Sequence, residues 1–210
     1  KSILFAPLHY YPLDKINKNA LKFFDILIGL SDFGYNLLKN NFPNKKIYKI
    51  PLCVDTNMAK LNYEKKYYKK KLGFSDNNFV CTIISNNGEY TDRKGFFQNL
   101  KAFSKFQKKY KNCRLYLHCC VTNEINLIKL LKKFKVKKKI YKFCDQQKYK
   151  NHLYSREDVF NILKGSDVLL NASKSEGFGI PILEAQSCGC PVITTNFSAM
   201  PELTINGIST

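Results

Sequence analysis

Residues 175–193 read SEGFGIPILEAQSCGCPVI, and the fold turns on them. The segment IPILEAQSC predicts a short helix, with Pro181 suited to its first turn and Gly189 to the position past its end. DVLLNAS (167–173) before it and PVIT (191–194) after it predict strands. Apolar strands joined through a helix belong to a parallel sheet buried on both faces. Two glutamates, Glu176 and Glu184, stand eight positions apart in a chain with only 16 acidic residues, and Gly177-Phe178-Gly179 follows the first.

The alternation extends outward. FVCTIIS (79–85), CRLYLHC (113–119) and KIYKFC (139–144) predict further strands. GFFQNLKAFSKFQKKY (95–110) predicts a helix, with Phe96, Leu100, Phe103 and Phe106 near one face. A second helix is expected over 124–134 and a loop over 145–154. Ser155-Arg-Glu-Asp158 resembles a capping box opening a helix to about 164. Some six strands over 79–194 make a doubly wound, Rossmann-like α/β domain. Upstream, SILFAPL, DILIGLS (25–31) and KKIYKIPL (45–52) predict three more strands, with helices over 15–23 and 33–41. The expected organisation is the tail of one α/β domain over 1–54, a lysine- and tyrosine-rich linker over 55–76 with room for one amphipathic turn, and a second α/β domain over 77–210. The chain lacks an initiating Met and stops without a closing helix, so a piece of a longer protein is expected.

The net charge of +19 suggests nucleic acid or an anionic membrane as partner. Against nucleic acid, only Arg93, Arg114 and Arg156 are arginines, the residue that reads bases and clamps phosphates in bidentate fashion. The lysines fall in scattered runs, KKYYKKK (65–71) and KKFKVKKK (132–139), which read as solvated surface. No nucleic-acid partner is expected, while peripheral contact with an anionic membrane stays open. No apolar run reaches the ~18 residues of a membrane span. Most of the eight cysteines sit inside apolar runs without zinc-site spacing, which predicts reduced thiols in a cytoplasmic setting.

The turn NASKSEGFGIP opens at the carboxyl edge of its strand, where ligands of such sheets bind. The following helix aims free N–H groups at that edge, and two glycines let a ligand approach the backbone, so the turn is a phosphate cradle. Eight helical residues span about 12 Å. The carboxylates of a glycosidase flank one bond at roughly 5–9.5 Å. Glu176 and Glu184 therefore suit the two ends of one long ligand, with phosphates between and hydroxyls at both ends. A nucleoside diphosphate-sugar has that layout. Taken alone, Glu184 reads as a surface helix carboxylate and Glu176 as an acid offsetting the helix dipole.

Here the chain resembles a known family. SEGFGIPILEAQSCGCPVITTN is similar to the E-x7-E segment of retaining GT-B glycosyltransferases of the glycogen-synthase-like, family-four (group 1) type. FDILIGLSDFGYNLLKNNFPNKKIYKIPLCVDT (24–56) resembles the end of that family's N-terminal domain, RKG (93–95) its basic diphosphate loop, and SREDVFNILKGSDVLLNAS the helix and strand before E-x7-E. The resemblance implies metal-independent transfer of a hexose from a nucleotide diphosphate-sugar, with retention, to a glycan, lipid or protein acceptor. No cofactor is implied. Lys94 and Arg93 would neutralise the leaving diphosphate. Glu176 would contact the transferred sugar, Gly177, Phe178 and Gly179 would lie beside it, and Glu184 would hold the ribose. Asp145 and Gln146 fall where the family's loop touches the base. In APLHYYPLD, His9 and Asp14 stand at a strand end facing the cleft. Many members carry an arginine where this chain reads Gly88-Glu89-Tyr90, and Arg93 is the substitute at hand. A non-catalytic sugar-nucleotide- or glycan-binding relic, and a basic module for RNA or membrane, are the alternatives. The last requires lysines clustered on one face near aromatics.

Overall fold

The computed structural model describes residues 1–210 apart from Leu61 and Tyr90. It holds two parallel sheets. The first, in order β1-β2-β3, comprises β1 (Ile3–Ala6), β2 (Ile26–Gly29) and β3 (Lys46–Lys49), connected through helices α1 (Lys15–Leu21) and α2 (Asp32–Asn41). Leu27, Leu37, Leu38 and Ile47 form its core. Ser31 caps α2 by accepting from the Gly34 amide.

Two short helices follow, α3 (Thr56–Ala59) and α4 (Lys65–Lys71). The segment thus holds two helices where one amphipathic turn is expected, and the expectation that the KKYYKKK run is solvated surface is corrected. Lys69 is buried, and both Lys65 and Lys69 reach Asp167 at 2.9 Å. Asp167 also accepts from the Val80 amide at 2.8 Å, which fastens α4 beneath the second sheet. A period-free lysine run gives no sign of such pairing, because the partner lies about a hundred residues away in sequence.

The second sheet has six parallel strands in order β6-β5-β4-β7-β8-β9. They are β4 (Phe79–Ile84), β5 (Cys113–His118), β6 (Tyr141–Phe143), β7 (Val168–Asn171), β8 (Val192–Thr194) and β9 (Gly207–Ser209). Five of the strands fall within 79–194 as read from sequence, and the sixth lies beyond, at the chain's end. Helices α5 (Phe96–Lys109), α6 (Leu127–Lys133), α8 (Arg156–Lys164) and α9 (Ile180–Ser187) pack on the faces. Central strands β4 and β5 are nearly wholly buried, as near-continuous apolar runs require. The expected loop after β6 contains helix α7 (Gln146–Lys150), and α10 (Met200–Leu203) precedes β9. The capping box at Ser155 and Asp158 forms on α8.

The two bodies touch through polar and apolar contacts. The Glu202 carboxylate accepts from the Asp32 amide at 2.8 and 3.0 Å, at the free N-terminus of α2. Phe33 and Phe197 meet edge-on with centroids 5.6 Å apart. All eight cysteines are free thiols. No helix among the described residues is long and apolar enough to cross a membrane.

Candidate active site

Strands β4 and β7 are neighbours, yet the chain leaves them in opposite directions, to β5 and β6 on one side and to β8 and β9 on the other. That is the switch point of a doubly wound sheet, where a crevice opens outside the strands' carboxyl ends. The loops emerging there carry Arg93-Lys94-Gly95 after β4 and Ser175-Glu176-Gly177 after β7.

Local capping sets the first loop. Asp92, with φ of 48°, accepts from the Phe96 and Phe97 amides at 2.8 and 2.9 Å and so caps α5. Gly95 has φ of 66°, and a Cβ there would sit 1.9 Å from the Ala172 carbonyl oxygen. Only glycine meets both demands. The Lys174 amide donates to the Arg93 carbonyl at 2.7 Å, so the two loops are joined by backbone as well as side chains.

The basic pair then falls onto Glu176, 82 residues from Lys94 in sequence. Lys94 Nζ lies 2.7 Å from Glu176 Oε1. Arg93 Nη1 lies 2.9 Å from the Ser175 carbonyl and 3.5 Å from Glu176 Oε2. Glu89 accepts from Arg93 Nε at 2.8 Å and fixes the other side of the guanidinium. That contact holds the Glu89 carboxyl below its ordinary range. Tyr90, part of the departure read from sequence, lies outside the described residues. Glu176 is largely buried, and its amide donates to Ser198 Oγ at 2.8 Å. Burial of these charges is tolerable because each has a partner.

Helix α9 begins at the same place. Gly179 takes φ of 107° at its N-cap, and Pro181 occupies its first turn. Phe178 is buried and anchors the turn. A Cβ on Gly177 would lie 2.6 Å from the Pro7 carbonyl oxygen, so the first body closes tightly over the second. Between them lies a cavity of about 380 Å³, whose lining includes His9, Leu52, Arg93, Glu176, Gly177 and Gly179. His9 Nδ1 is 3.2 Å from the Pro7 carbonyl.

Glu184 lies one turn into α9 and is also buried. Burial holds its carboxyl above the ordinary range, and the Arg156 charge pulls the other way. Among the described residues no side chain or amide donates to that carboxylate, and Glu184 is not among the residues that line the cavity. The remaining expected residues are engaged locally. The Asp145 carboxylate caps α7 through the Gln147 and Lys148 amides. The Gln146 amide bonds the Val121 amide and the Cys119 and Cys144 carbonyls at 2.8, 3.1 and 3.0 Å. Asp14 caps α1 through the Asn17 amide at 2.9 Å and lines a neighbouring groove instead of this cavity. Sequence reasoning missed Asp92, Lys174 and Ser198. Asp92 alone had a visible signal, a capping residue type just before a helix. Among the described residues no group of three or more His, Cys, Asp or Glu could hold a metal ion.

Two α/β bodies with a charged crevice between them form the GT-B architecture. The chain belongs to the family described as Glycosyl transferases group 1, whose profile matches residues 64–209. It is 31% identical over 184 residues to the O-antigen biosynthesis glycosyltransferase WclY of Escherichia coli, covering 86% of this chain and 46% of that protein. It is 25% identical over 165 residues to N-acetyl-alpha-D-glucosaminyl L-malate synthase of Bacillus anthracis, covering 79% and 39%. The chain thus spans less than half the length of either relative. In fold it is similar to Anabaena HepE in complex with UDP and glucose, with a TM-score of 0.75 at 19% identity, over 99% of this chain and 57% of that one. WaaG, a glycosyltransferase of lipopolysaccharide biosynthesis, gives 0.77 at 17% identity, over 99% and 60%.

Proposed function

We propose that this chain carries the donor site of an enzyme that moves a hexose from a nucleotide diphosphate-sugar to an acceptor hydroxyl, with retention and without metal or other cofactor. The observation that carries the reading is the junction of Lys94, Arg93 and Glu176 at the N-terminus of α9, the helix that also bears Glu184. The family match and the UDP and glucose in the HepE structure support a donor of this class.

In this reading the diphosphate lies at the Gly177–Gly179 turn. Lys94, Arg93 and the amides of α9 stabilise the charge that grows on it as the glycosidic bond breaks. Glu176 accepts from hydroxyls of the transferred sugar while it holds Lys94 in place. Glu184 accepts from the ribose hydroxyls. The base lies toward β6, where Asp145 and Gln146 shape the loop through its backbone. His9 faces the sugar from the first body. The diphosphate itself takes the acceptor proton on the face it leaves.

The test is a panel of UDP-, GDP- and ADP-sugars without added metal, on the wild type and on Glu176→Ala. Nucleoside diphosphate release by the wild type, lost in the variant, is the expected result. Binding without release in either protein identifies a binding relic, and no binding at all overturns the donor site.

A further inference from the structure

At the opposite end of the second sheet, under the starts of β5 and β6, lies another cavity of about 370 Å³. Lys108, Lys111, Lys135, Lys137 and Lys139 line it. The site is built, not merely crowded. Gln107 on α5 donates to the Lys135 carbonyl at 3.1 Å and accepts from the Lys137 amide at 3.4 Å, clasping the turn that carries three of those lysines. Lys135 in that turn has φ of 55°. Between residues 101 and 142 the only acidic residue is Glu124. None of the five lysines has a carboxylate partner among the described residues.

Helix dipoles account for part of this charge. Lys108 and Lys109 end α5, and Lys132 and Lys133 end α6, as cations at C-termini do. Lys111 Nζ also serves the end of α5, donating to the Lys108 carbonyl at 2.7 Å, and Lys139 lies in a 3-10 turn over Lys138–Ile140. Lys135 and Lys137 lie past the helix ends and have no such role. Like charges around one cavity repel, and a bound anion relieves that repulsion. Beside the lysines stands Tyr110, 46% exposed, packed on Phe106 with centroids 4.6 Å apart and with Lys109 Nζ 5.3 Å from its ring. The lysine cluster near an aromatic that the scattered runs did not reveal is therefore assembled by the fold.

We infer that this edge docks on an anionic lipid bilayer, with a phosphate headgroup among Lys108, Lys137 and Lys139 and Tyr110 at the headgroup boundary. The chemistry favours a lipid surface over RNA. Lysines are flexible point charges suited to a diffuse anionic surface. Arg114, the one arginine at this edge, donates to the Lys111 and Cys113 carbonyls at 3.3 and 2.8 Å, so its fork is committed to the backbone. Tyrosine is enriched at the membrane boundary. The donor crevice lies at the other end of the strands and faces away from the surface so docked.

The test is flotation with vesicles of phosphatidylcholine alone or mixed with phosphatidylglycerol, at low and high salt. The wild type is expected to float only with the anionic vesicles and at low salt. Replacing Lys108→Gln, Lys137→Gln and Lys139→Gln together should lower partitioning on the order of a hundredfold, at about fivefold per lysine. A charge-matched variant at exposed Lys15, Lys46 and Lys60 on other parts of the chain should lower it several-fold at most. The chain has no tryptophan, so Tyr110→Trp supplies a single reporter whose emission should shift to the blue on anionic vesicles. Equal losses in the two triple variants, or no shift of the reporter, overturn the proposal. So does glycerol phosphate that binds the chain through these lysines while anionic vesicles do not, which marks a free-phosphate site. Homopolymer RNA bound through the same lysines without any vesicle binding overturns it as well.

Discussion

The two ends of the six-stranded sheet handle charge in opposite ways. At the carboxyl ends, Arg93 and Lys94 are largely buried, and carboxylates of Glu89 and Glu176 meet them. Under the starts of β5 and β6, exposed lysines surround a cavity with no carboxylate among the described residues to meet them. A charge taken out of water must be paired, whereas one left in water need not be. Counting lysines along the chain cannot separate these cases, because burial decides which rule applies.

The comparison breaks most visibly at Glu176. Glu176→Gln keeps the shape and removes the charge, and donor turnover is expected to fall about 10²–10³-fold, the scale for losing one preorganised electrostatic group. Release of nucleoside diphosphate measures it, and unchanged turnover would make the pairing purely structural. Gly95→Ala tests the join between the loops. With φ of 66° and the Ala172 oxygen 1.9 Å from the new Cβ, it should cost about 3 kcal/mol in a urea melt.

His118 adds a third way of handling charge, a titratable group kept neutral. It packs among Tyr149 and Tyr154, its Nδ1 has no partner among the described residues, and burial pushes its pKa down to about 4. The unfolded chain takes up this proton near pH 6.5, but the native chain does not until about pH 4. Stability from this group is therefore full above pH 6.5 and lost as pH falls toward 4, on the order of 3 kcal/mol in all. Denaturant melts across that window should show the loss, and His118→Phe should flatten it.

Glu184 gives a smaller effect. Its raised pKa means that the accepting, ionised form is lost at a higher pH than for an ordinary glutamate. Donor affinity should therefore weaken several-fold as pH falls through that range, with Glu184→Gln removing the dependence in a calorimetric titration. The smallest effect lies at the other end of the sheet. Lys137→Gln should change stability by less than about 0.5 kcal/mol, as exposed, unpartnered charges do, and a larger loss would mean that the basic edge is structural.

Much of the α/β alternation was legible because buried parallel strands such as FVCTII and CRLYLH are continuous apolar runs, and α8 and α9 carry explicit start and stop residues. Short elements were not. Strand β9 reads GIS and α10 reads MPEL, segments too brief for any period to register. Glu176 and Glu184 could be singled out because their spacing around the glycines and the helix start is local, whereas Arg93 and Lys94 stood out only through the family resemblance. The local bonds of Asp145 and Gln146 could not be read, since a side chain that holds its own loop and one that meets a ligand look alike in sequence.

The parallel α/β class, the family resemblance and the glycine turn before α9 are legible in the chain, since each rests on patterns within a few tens of residues. That β4 and β7 are neighbours, and hence that Lys94 meets Glu176 and that Lys69 is buried on Asp167, follows from the packed fold alone. The same packing gathers lysines from α5 and from the turn before β6 around one cavity. These outcomes depend on strand order and burial, which arise from packing distant segments into one core and have no local signature in the chain.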